Sequence, residues 1–203
     1  MTVPGPRPPL DPDDAHRLVS AARARAAILV EGWSDQAALE ALARRRGRDL
    51  LAEGIVVVPI GGATNVQRFA QALGPHGLGL RLAGLCDVAE LGHVRRSLER
   101  AGLATGAGTD ALGFYACDAD LEDELIRALG TRRVEELIEA EGERGPFLTF
   151  AKQPAHRGAA RDQQLRRFMG TRSGRKIRYG HVLAAALDLT RVPGPLAGLL
   201  SAV

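Results

Sequence analysis

The sequence predicts an α/β fold in which a parallel sheet of about four strands is flanked by helices and followed by a C-terminal helical extension. Two features of the 203-residue chain predict this architecture. Four short apolar runs alternate with segments of helical periodicity as far as residue 141, and only helical segments follow Gly145. Short strands that alternate with helices are typical of a parallel sheet covered on both faces.

The first strand is predicted at Ala26–Val30, an apolar run that Glu31-Gly32 stops. A helix over residues 13–25 precedes it, because acidic side chains favour a helix N-terminus. Ser34 is the expected cap of the following helix, whose apolar positions have helical spacing.

The remaining elements follow the same alternation. Further strands are predicted at residues 54–60, 80–86 and 111–117. Further helices are predicted at residues 65–73, 91–101, 120–129, 132–141, 163–169 and 177–187. No strand is predicted after Gly145, and a basic loop at residues 170–176 joins the last two helices.

Composition divides the chain into three predicted parts. The Pro-rich residues 1–12 are expected to be a disordered arm. Residues 13–144 are expected to form the α/β core, and residues 145–203 a helical extension that completes the same domain.

The sequence also predicts a cytoplasmic protein without a membrane segment. No signal peptide precedes the core, and no apolar run is long enough to span a bilayer. Cys86 and Cys117 each end an apolar run just before an Asp, and we expect both to be buried thiols in a reducing compartment.

The charge balance permits a nucleic-acid partner without requiring one. The formal net charge is +3, and Lys152 and Lys176 are the only lysines, so arginine supplies nearly all of the positive charge. Arginine suits bidentate contact with phosphate. Within the basic loop and its flanks, we expect contacts with nucleic-acid backbone phosphates from Arg172, Arg175, Lys176 and Arg178.

Three predicted strands end in a carboxylate, namely Glu31, Asp87 and Asp118. Ligands of open parallel sheets bind at the carboxyl ends of the strands. Neighbouring carboxylates at that edge would repel one another unless a cation, an arginine or a raised pKa offset the repulsion. Hard oxygen ligands suit Mg²⁺ or Mn²⁺.

Other acids lie near helix starts, where two interpretations remain open. Asp35 follows Glu31 by four residues and could reach the same cation. Asp120 and Glu122 belong to an acidic group that opens a predicted helix. Acids at these positions are also stabilised by the helix dipole alone.

These residues, taken in order, resemble the Toprim domain of the OLD (overcoming lysogenization defect) family of nucleases, which has a Rossmann-like sheet. Residues 28–35 (Ile-Leu-Val-Glu-Gly-Trp-Ser-Asp) resemble its first motif, and residues 57–65 its second strand and Gly-rich turn. Leu85-Cys86-Asp87 resembles the third strand, and residues 120–125 the later acidic helix start. The resemblance spans about residues 26–187.

The resemblance implies a nuclease that binds Mg²⁺ or Mn²⁺ and cleaves nucleic acid, DNA rather than RNA. Glu31, Asp35 and Asp87 would be the main metal ligands, with Asp120 and Glu122 serving a second metal. Glu31, Asp87 and Lys176 would carry the catalysis, Lys176 by stabilising the charged phosphate. No organic cofactor is implied, and the sequence leaves a homodimer open.

Two departures from the family pattern matter. Ala89 stands where Toprim domains carry the second Asp of an Asp-x-Asp pair, and Glu90 follows at a position that a helix start is expected to point elsewhere. The chain also lacks the G-x-x-x-x-G-K-[ST] loop of an ATPase, so a stand-alone domain or a separate ATPase partner is expected.

Two other functions stay open at this point. A catalytically weak Toprim module could bind nucleic acid or regulate a separate ATPase. A phosphatase of another α/β class could use Asp87 or Asp118 as its nucleophile.

Overall fold

The sheet is parallel throughout, as predicted. The computed structural model describes residues 8–103, 106, 108–172 and 174–203. Within these residues four strands form one sheet in the order β2-β1-β3-β4. The strands are β1 (Ala26–Val30), β2 (Ile55–Pro59), β3 (Arg81–Asp87) and β4 (Phe114–Cys117).

Helices cover both faces of this sheet. On one face, Ile28 and Val57 share a core with the helix between β1 and β2 and with the helices that follow β4. On the other face, Leu29 and Val58 share a core with the helix before β1, the helix between β2 and β3, and the helix between β3 and β4. Alternate side chains of a strand point to opposite faces, so apolar residues at every position of β1 feed both cores. The helices are α1 (Pro12–Ala21), α2 (Trp33–Arg45), α3 (Val66–Leu73), α4 (Leu91–Arg100), α5 (Leu121–Leu129), α6 (Thr131–Ala140), α7 (Arg144–Ala151), α8 (Arg161–Met169), α9 (Arg175–Ala186) and α10 (Gly194–Ala202).

Several element boundaries differ from the predictions. Helices α7 and α10 were not predicted, and a Gly-Pro pair lies in the first turn of each. Proline is tolerated in a first helical turn, where its missing N–H would have no helical partner. Helix α1 ends at Ala21 because Arg23 adopts a left-handed backbone with φ 49°. Strand β4 begins late because Asp110–Leu112 forms a 3₁₀ turn.

The described part of the predicted N-terminal arm contacts the core. Residues 1–7 lie outside the described residues. Leu10 donates its N–H to Pro59 O at 3.1 Å, at the carboxyl end of β2, and Trp33 Nε1 donates to Pro8 O at 3.0 Å. Residues 8–11 are therefore held against the sheet edge beside Glu31 rather than detached from it, since these backbone groups find partners there.

Two simpler expectations are also met. Cys86 and Cys117 are buried and carry free thiols, as predicted. Among the residues described, none of the helices is both long enough and apolar enough to cross a bilayer.

Candidate metal centre

Glu31 and Asp87 lie at adjacent carboxyl ends of the sheet. Strand β1 pairs with β3 in parallel, with Leu29 opposite Gly84. Glu31 directly follows β1, and Asp87 is the last residue of β3. Both side chains therefore reach the edge where ligands of parallel sheets bind, as the sequence analysis expected.

Glu90 joins these two residues, although a helix start was expected to point it elsewhere. A 3₁₀ turn at Val88–Glu90 follows β3. Side chains three residues apart in such a turn lie above one another, so Glu90 returns to the side of Asp87. One carboxylate oxygen each from Glu31, Asp87 and Glu90 lies within 4.8 Å of the other two. The expectation that Glu90 points elsewhere was wrong, and its i+3 spacing from Asp87 was the signal that could have corrected it.

The three carboxylates destabilise one another's charge. Burial, a hydrogen bond with Glu90 and the charge of Asp87 raise the pKa of Glu31 to about 8. Burial and the charges of Asp120 and Glu90 raise the pKa of Asp87 to about 6. Glu31 therefore holds a proton at neutral pH unless another cation takes its place, whereas Asp87 is largely ionised there.

Asp35 is fixed by the turn that opens α2. The helix begins at Trp33 with Gly32 as its N-cap, so the prediction that Ser34 caps this helix was wrong. Asp35 Oδ2 accepts a hydrogen bond of 2.8 Å from the Gly32 N–H. The residue is only 8% exposed, and burial together with the charge of Glu122 raises its pKa to about 6. The N–H contact orients the carboxylate without neutralising it.

Helix α9 approaches α2 closely because residue 180 is glycine. A Cβ added at Gly180 would lie 2.5 Å from Ser34 O, closer than packed atoms tolerate. This contact brings the first turn of α9, with Lys176, beside the first turn of α2, with Asp35.

Lys176 is paired with Glu122. Lys176 Nζ lies 3.2 Å from Glu122 Oε2, and Glu122 is 2% exposed. Burial raises the pKa of Glu122, and the ammonium group offsets only part of that increase. Burial acts to lower the pKa of Lys176, but Glu122 and Asp35 outweigh it and hold the pKa above its ordinary value. Lys176 is therefore a positively charged group at the acidic cluster.

Asp120 is paired with an arginine of another helix. It caps α5, where its Oδ1 accepts from the Asp123 N–H at 2.8 Å. Its other oxygen accepts from Arg166 Nε at 2.7 Å and lies 2.6 Å from Arg166 Nη2. Asp120 thus fulfils the helix-capping role that the sequence left open, and its second oxygen is held by a guanidinium.

Most of these groups, though not Glu90, line one acidic cleft of about 70 Å³. The sequence-predicted ligands Glu31, Asp35, Asp87, Asp120 and Glu122 all line it, together with Lys176. Cys86 and Cys117 lie in its wall. We call this space the acidic cleft.

The donor set fits a hard divalent cation. Among the described residues, Glu31 Oε1, Glu90 Oε2 and Glu122 Oε1 are buried oxygens without a hydrogen-bond partner. A buried polar atom without a partner costs about 1–3 kcal/mol, and more if charged. A cation ligated by such oxygens would remove that cost. Glu31, Asp87 and Glu90 are the residues that would hold it.

The predicted nucleic-acid contacts differ in their accessibility. Arg175 is 5% exposed; its Nη2 donates to Glu143 Oε1 at 2.8 Å, and its guanidinium stacks 4.0 Å from the ring centroid of Phe168. The expectation that Arg175 contacts phosphate is therefore corrected, since its donors are used inside the protein. Arg178 is half-exposed and paired with Glu143 and Glu141, whereas Arg172 is exposed in the loop before α9.

Asp118 lies apart from the acidic cleft. It follows β4 as predicted, but it is exposed and 3.3 Å from Arg127 Nη1. It does not line the acidic cleft. This position removes the support for Asp118 as the nucleophile of a phosphatase.

Comparison with known proteins finds solved structures of similar fold. The chain resembles the solved C-terminal region of the Burkholderia pseudomallei OLD protein with TM-score 0.65 and 23% identity, covering 88% of this chain and 96% of that one. It also resembles the C-terminal region of the Xanthomonas campestris pv. campestris OLD protein, in a structure phased with mercury, with TM-score 0.66 and 25% identity, covering 88% and 94%. No curated protein matches the chain.

The fold and the acidic cleft together define a Toprim-type α/β domain. Residues 24–88 match the family model described as "Overcoming lysogenization defect protein-like, TOPRIM domain". Residues 24–88 therefore match an OLD-like TOPRIM domain, which confirms the resemblance noted in the sequence. The matched segment contains Glu31, Asp35 and Asp87, and ends before Glu90. Such a domain indicates a metal-dependent role connected with nucleic acid.

Proposed function

We propose that this protein hydrolyses phosphodiester bonds of nucleic acid, DNA rather than RNA, with Mg²⁺ or Mn²⁺ in the acidic cleft. The observation that carries the proposal is the convergence of Glu31, Asp87 and Glu90, whose oxygens lie within 4.8 Å of one another beside Lys176. The choice of DNA follows from the resemblance to OLD-family nucleases. A cytoplasmic location belongs to the same proposal, since both cysteines are free thiols.

The acidic cleft supplies the groups that such a reaction needs. When bound, a divalent cation polarises a phosphoryl oxygen and lowers the pKa of a coordinated water. Glu31, Asp87 and Glu90 would bind it, and among the described residues Glu31 Oε1 and Glu90 Oε2 are buried oxygens without a hydrogen-bond partner. Asp35, held by the Gly32 N–H, presents a fourth carboxylate in a fixed orientation.

Lys176 would contact the substrate phosphate. Its ammonium lies 3.2 Å from Glu122 Oε2, and about half of its side chain, 51%, remains exposed. Charge that develops on a phosphoryl oxygen is stabilised by a preorganised cation. Arg172, exposed in the loop before α9, would bind a neighbouring backbone phosphate.

The test is cleavage of plasmid and single-stranded DNA by the purified protein with Mg²⁺ or Mn²⁺, compared with the variant Glu31→Gln. Asp118→Asn is the matched control, because it also neutralises a strand-end carboxylate but lies outside the acidic cleft. We expect cleavage by the wild type and by Asp118→Asn, and none by Glu31→Gln. Equal cleavage by Glu31→Gln, or no metal-dependent cleavage by the wild type, would rule the proposal out.

One observation favours a second candidate, a nucleic-acid-binding or regulatory module that works with a separate ATPase. Asp120 and Glu122, the expected ligands of a second metal, are already paired with Arg166 and Lys176. A site limited to one cation would bind nucleic acid with little turnover. Nucleic-acid binding without metal-dependent cleavage, together with co-purification of an ATPase, would support this candidate over the first.

A further inference from the structure

A basic groove adjoins the acidic cleft. It measures about 480 Å³ and runs between the start of α5, helix α8 and the start of α9. It is lined by Asp120, Glu122, Gln163, Arg166, Arg167, Gly170 and Lys176. Three of these residues, Asp120, Glu122 and Lys176, also line the acidic cleft, so one wall is common to both spaces.

The charges of the basic groove are balanced by internal pairs, with one cation left over. Arg166 is paired with Asp120, and Lys176 with Glu122. Arg167 has no side-chain ion pair within the described chain, and it is exposed. Three cations therefore face two carboxylates, and the excess is too small to bind a polyanion strongly while both pairs remain intact.

Asp120 is the residue whose pairing could change. Its side chain is 19% exposed and its Oδ2 receives both contacts from Arg166, whose side chain is 44% exposed. A cation in the acidic cleft attracts this carboxylate and repels the guanidinium beside it. Arginine binds phosphate in the same forked manner in which it binds carboxylate, so Arg166 has an equivalent second partner.

We propose that Arg166 exchanges partners on metal binding: it holds Asp120 in the cation-free protein and, once a divalent cation at Glu31, Asp87 and Glu90 offsets the charge of Asp120, binds a backbone phosphate in the basic groove beside Arg167. The inference rests on the proposed function, because it takes nucleic acid and a divalent cation as the ligands. It adds a route for the strand, along α8 into the acidic cleft. It also couples the two ligands, since each then raises the affinity for the other.

Binding of fluorescein-labelled oligonucleotides, single-stranded and duplex, measured by fluorescence anisotropy with EDTA or with Mg²⁺, tests the exchange. Asp120→Asn mimics the neutralised carboxylate and keeps a good N-cap residue on α5. In EDTA we expect this variant to bind about tenfold more tightly than the wild type, because the freed guanidinium of Arg166 can form a charge-assisted bond to phosphate. Mg²⁺ should strengthen binding by the wild type and have little further effect on Asp120→Asn.

The control separates partner exchange from a simple change of net charge. Asp123→Asn removes the same charge from the same helical turn, at a residue outside the basic groove. Its effect in EDTA should be much smaller than that of Asp120→Asn. In the Arg166→Gln background, Asp120→Asn should give no gain, and with Mg²⁺ the slope of log affinity against log salt should fall by about 1 in Arg166→Gln.

Three results would overturn the inference: equal gains from Asp120→Asn and Asp123→Asn, a gain that persists without Arg166, or no binding under either condition. The first two leave the proposed function standing if Glu31-dependent cleavage is observed. Loss of that cleavage with an intact Arg166–Asp120 coupling would instead remove the hydrolytic function and keep the coupled binding site.

Discussion

Lys176 Nζ lies 3.2 Å from Glu122 Oε2, while Glu122 Oε1 is buried with no hydrogen-bond partner in the described residues. One carboxylate thus receives a single cationic contact and keeps a free oxygen toward the acidic cleft. The lysine is fixed by α9, which Gly180 allows to lie against α2. The position of the ammonium group therefore follows from helix packing rather than from a flexible loop.

Replacing Lys176 with Met should lower turnover far more than cation binding. The variant keeps the side-chain volume but removes the charge that we assign to the phosphate. Loss of one preorganised donor typically lowers kcat about 10²–10³-fold. Lys152→Met is the matched control, because Lys152 is the only other lysine of the sequence and is exposed. Unchanged kcat in Lys176→Met would contradict the assigned role.

The cation-free protein should lose stability as the pH rises. Glu31 has a pKa of about 8 against an ordinary value of 4.5, and Asp35 and Asp87 have pKa values of about 6 against 3.8. The unfolded chain releases these protons first, so the folded state is favoured at low pH and loses this advantage between about pH 4 and pH 8.

Mg²⁺ should offset that loss by replacing the protons. Thermal unfolding in EDTA and in Mg²⁺, at about pH 5 and about pH 8, measures the effect. We expect a larger increase in Tm on adding Mg²⁺ at the higher pH, at about 2–4 °C for each kcal/mol of stabilisation. An equal increase at both values would show that these carboxylates do not bind the cation.

Glu90→Gln should weaken cation binding although Glu90 lies outside the matched family segment. Loss of one charged oxygen ligand should reduce the affinity for Mn²⁺ about tenfold or more. Isothermal titration with Mn²⁺ measures it, with Asp118→Asn as the control outside the acidic cleft. Wild-type affinity in Glu90→Gln would restore the interpretation that Ala89 leaves this position without a ligand.

Arg175 and Arg172 should behave in opposite ways. Arg175→Ala removes the bidentate partner of Glu143, which keeps Arg178 and Tyr179, and should cost about 1.5–3 kcal/mol of unfolding free energy. Arg172→Ala should leave stability unchanged and weaken oligonucleotide binding. Urea denaturation and anisotropy measure the two effects. A stable Arg175→Ala variant with weakened binding would return Arg175 to the nucleic-acid surface.

Periodicity and strand-end acids predicted the sheet and most of the acidic cleft. The positions of Glu31 and Asp87 could be predicted because the apolar runs before them indicate strands, and parallel strands end at a common edge of the sheet. Local sequence patterns did not give the correct prediction where the geometry of a turn determines the direction of a side chain or the start of a helix. Glu90 depended on a 3₁₀ turn rather than an α-helix, and the Gly-Pro pairs at α7 and α10 lay at helix starts.

Pairing between distant residues could not be predicted from one sequence. The arginines of residues 166–178 are similar in sequence context, but some are buried and others accessible. The difference comes from their partners in the tertiary structure. Glu143 lies 32 residues from Arg175, and Asp120 lies 46 residues from Arg166. No periodicity or spacing specifies such contacts, because they depend on how α8 packs against the start of α5 and α9 against the start of α7.

The most direct test of the metal centre is the anomalous scattering of Mn²⁺ in crystals of the protein. We expect a peak among the carboxylates of Glu31, Asp87 and Glu90, with at least two of them as direct ligands. A peak only between Asp120 and Glu122, or no peak in the acidic cleft at saturating Mn²⁺, would contradict it.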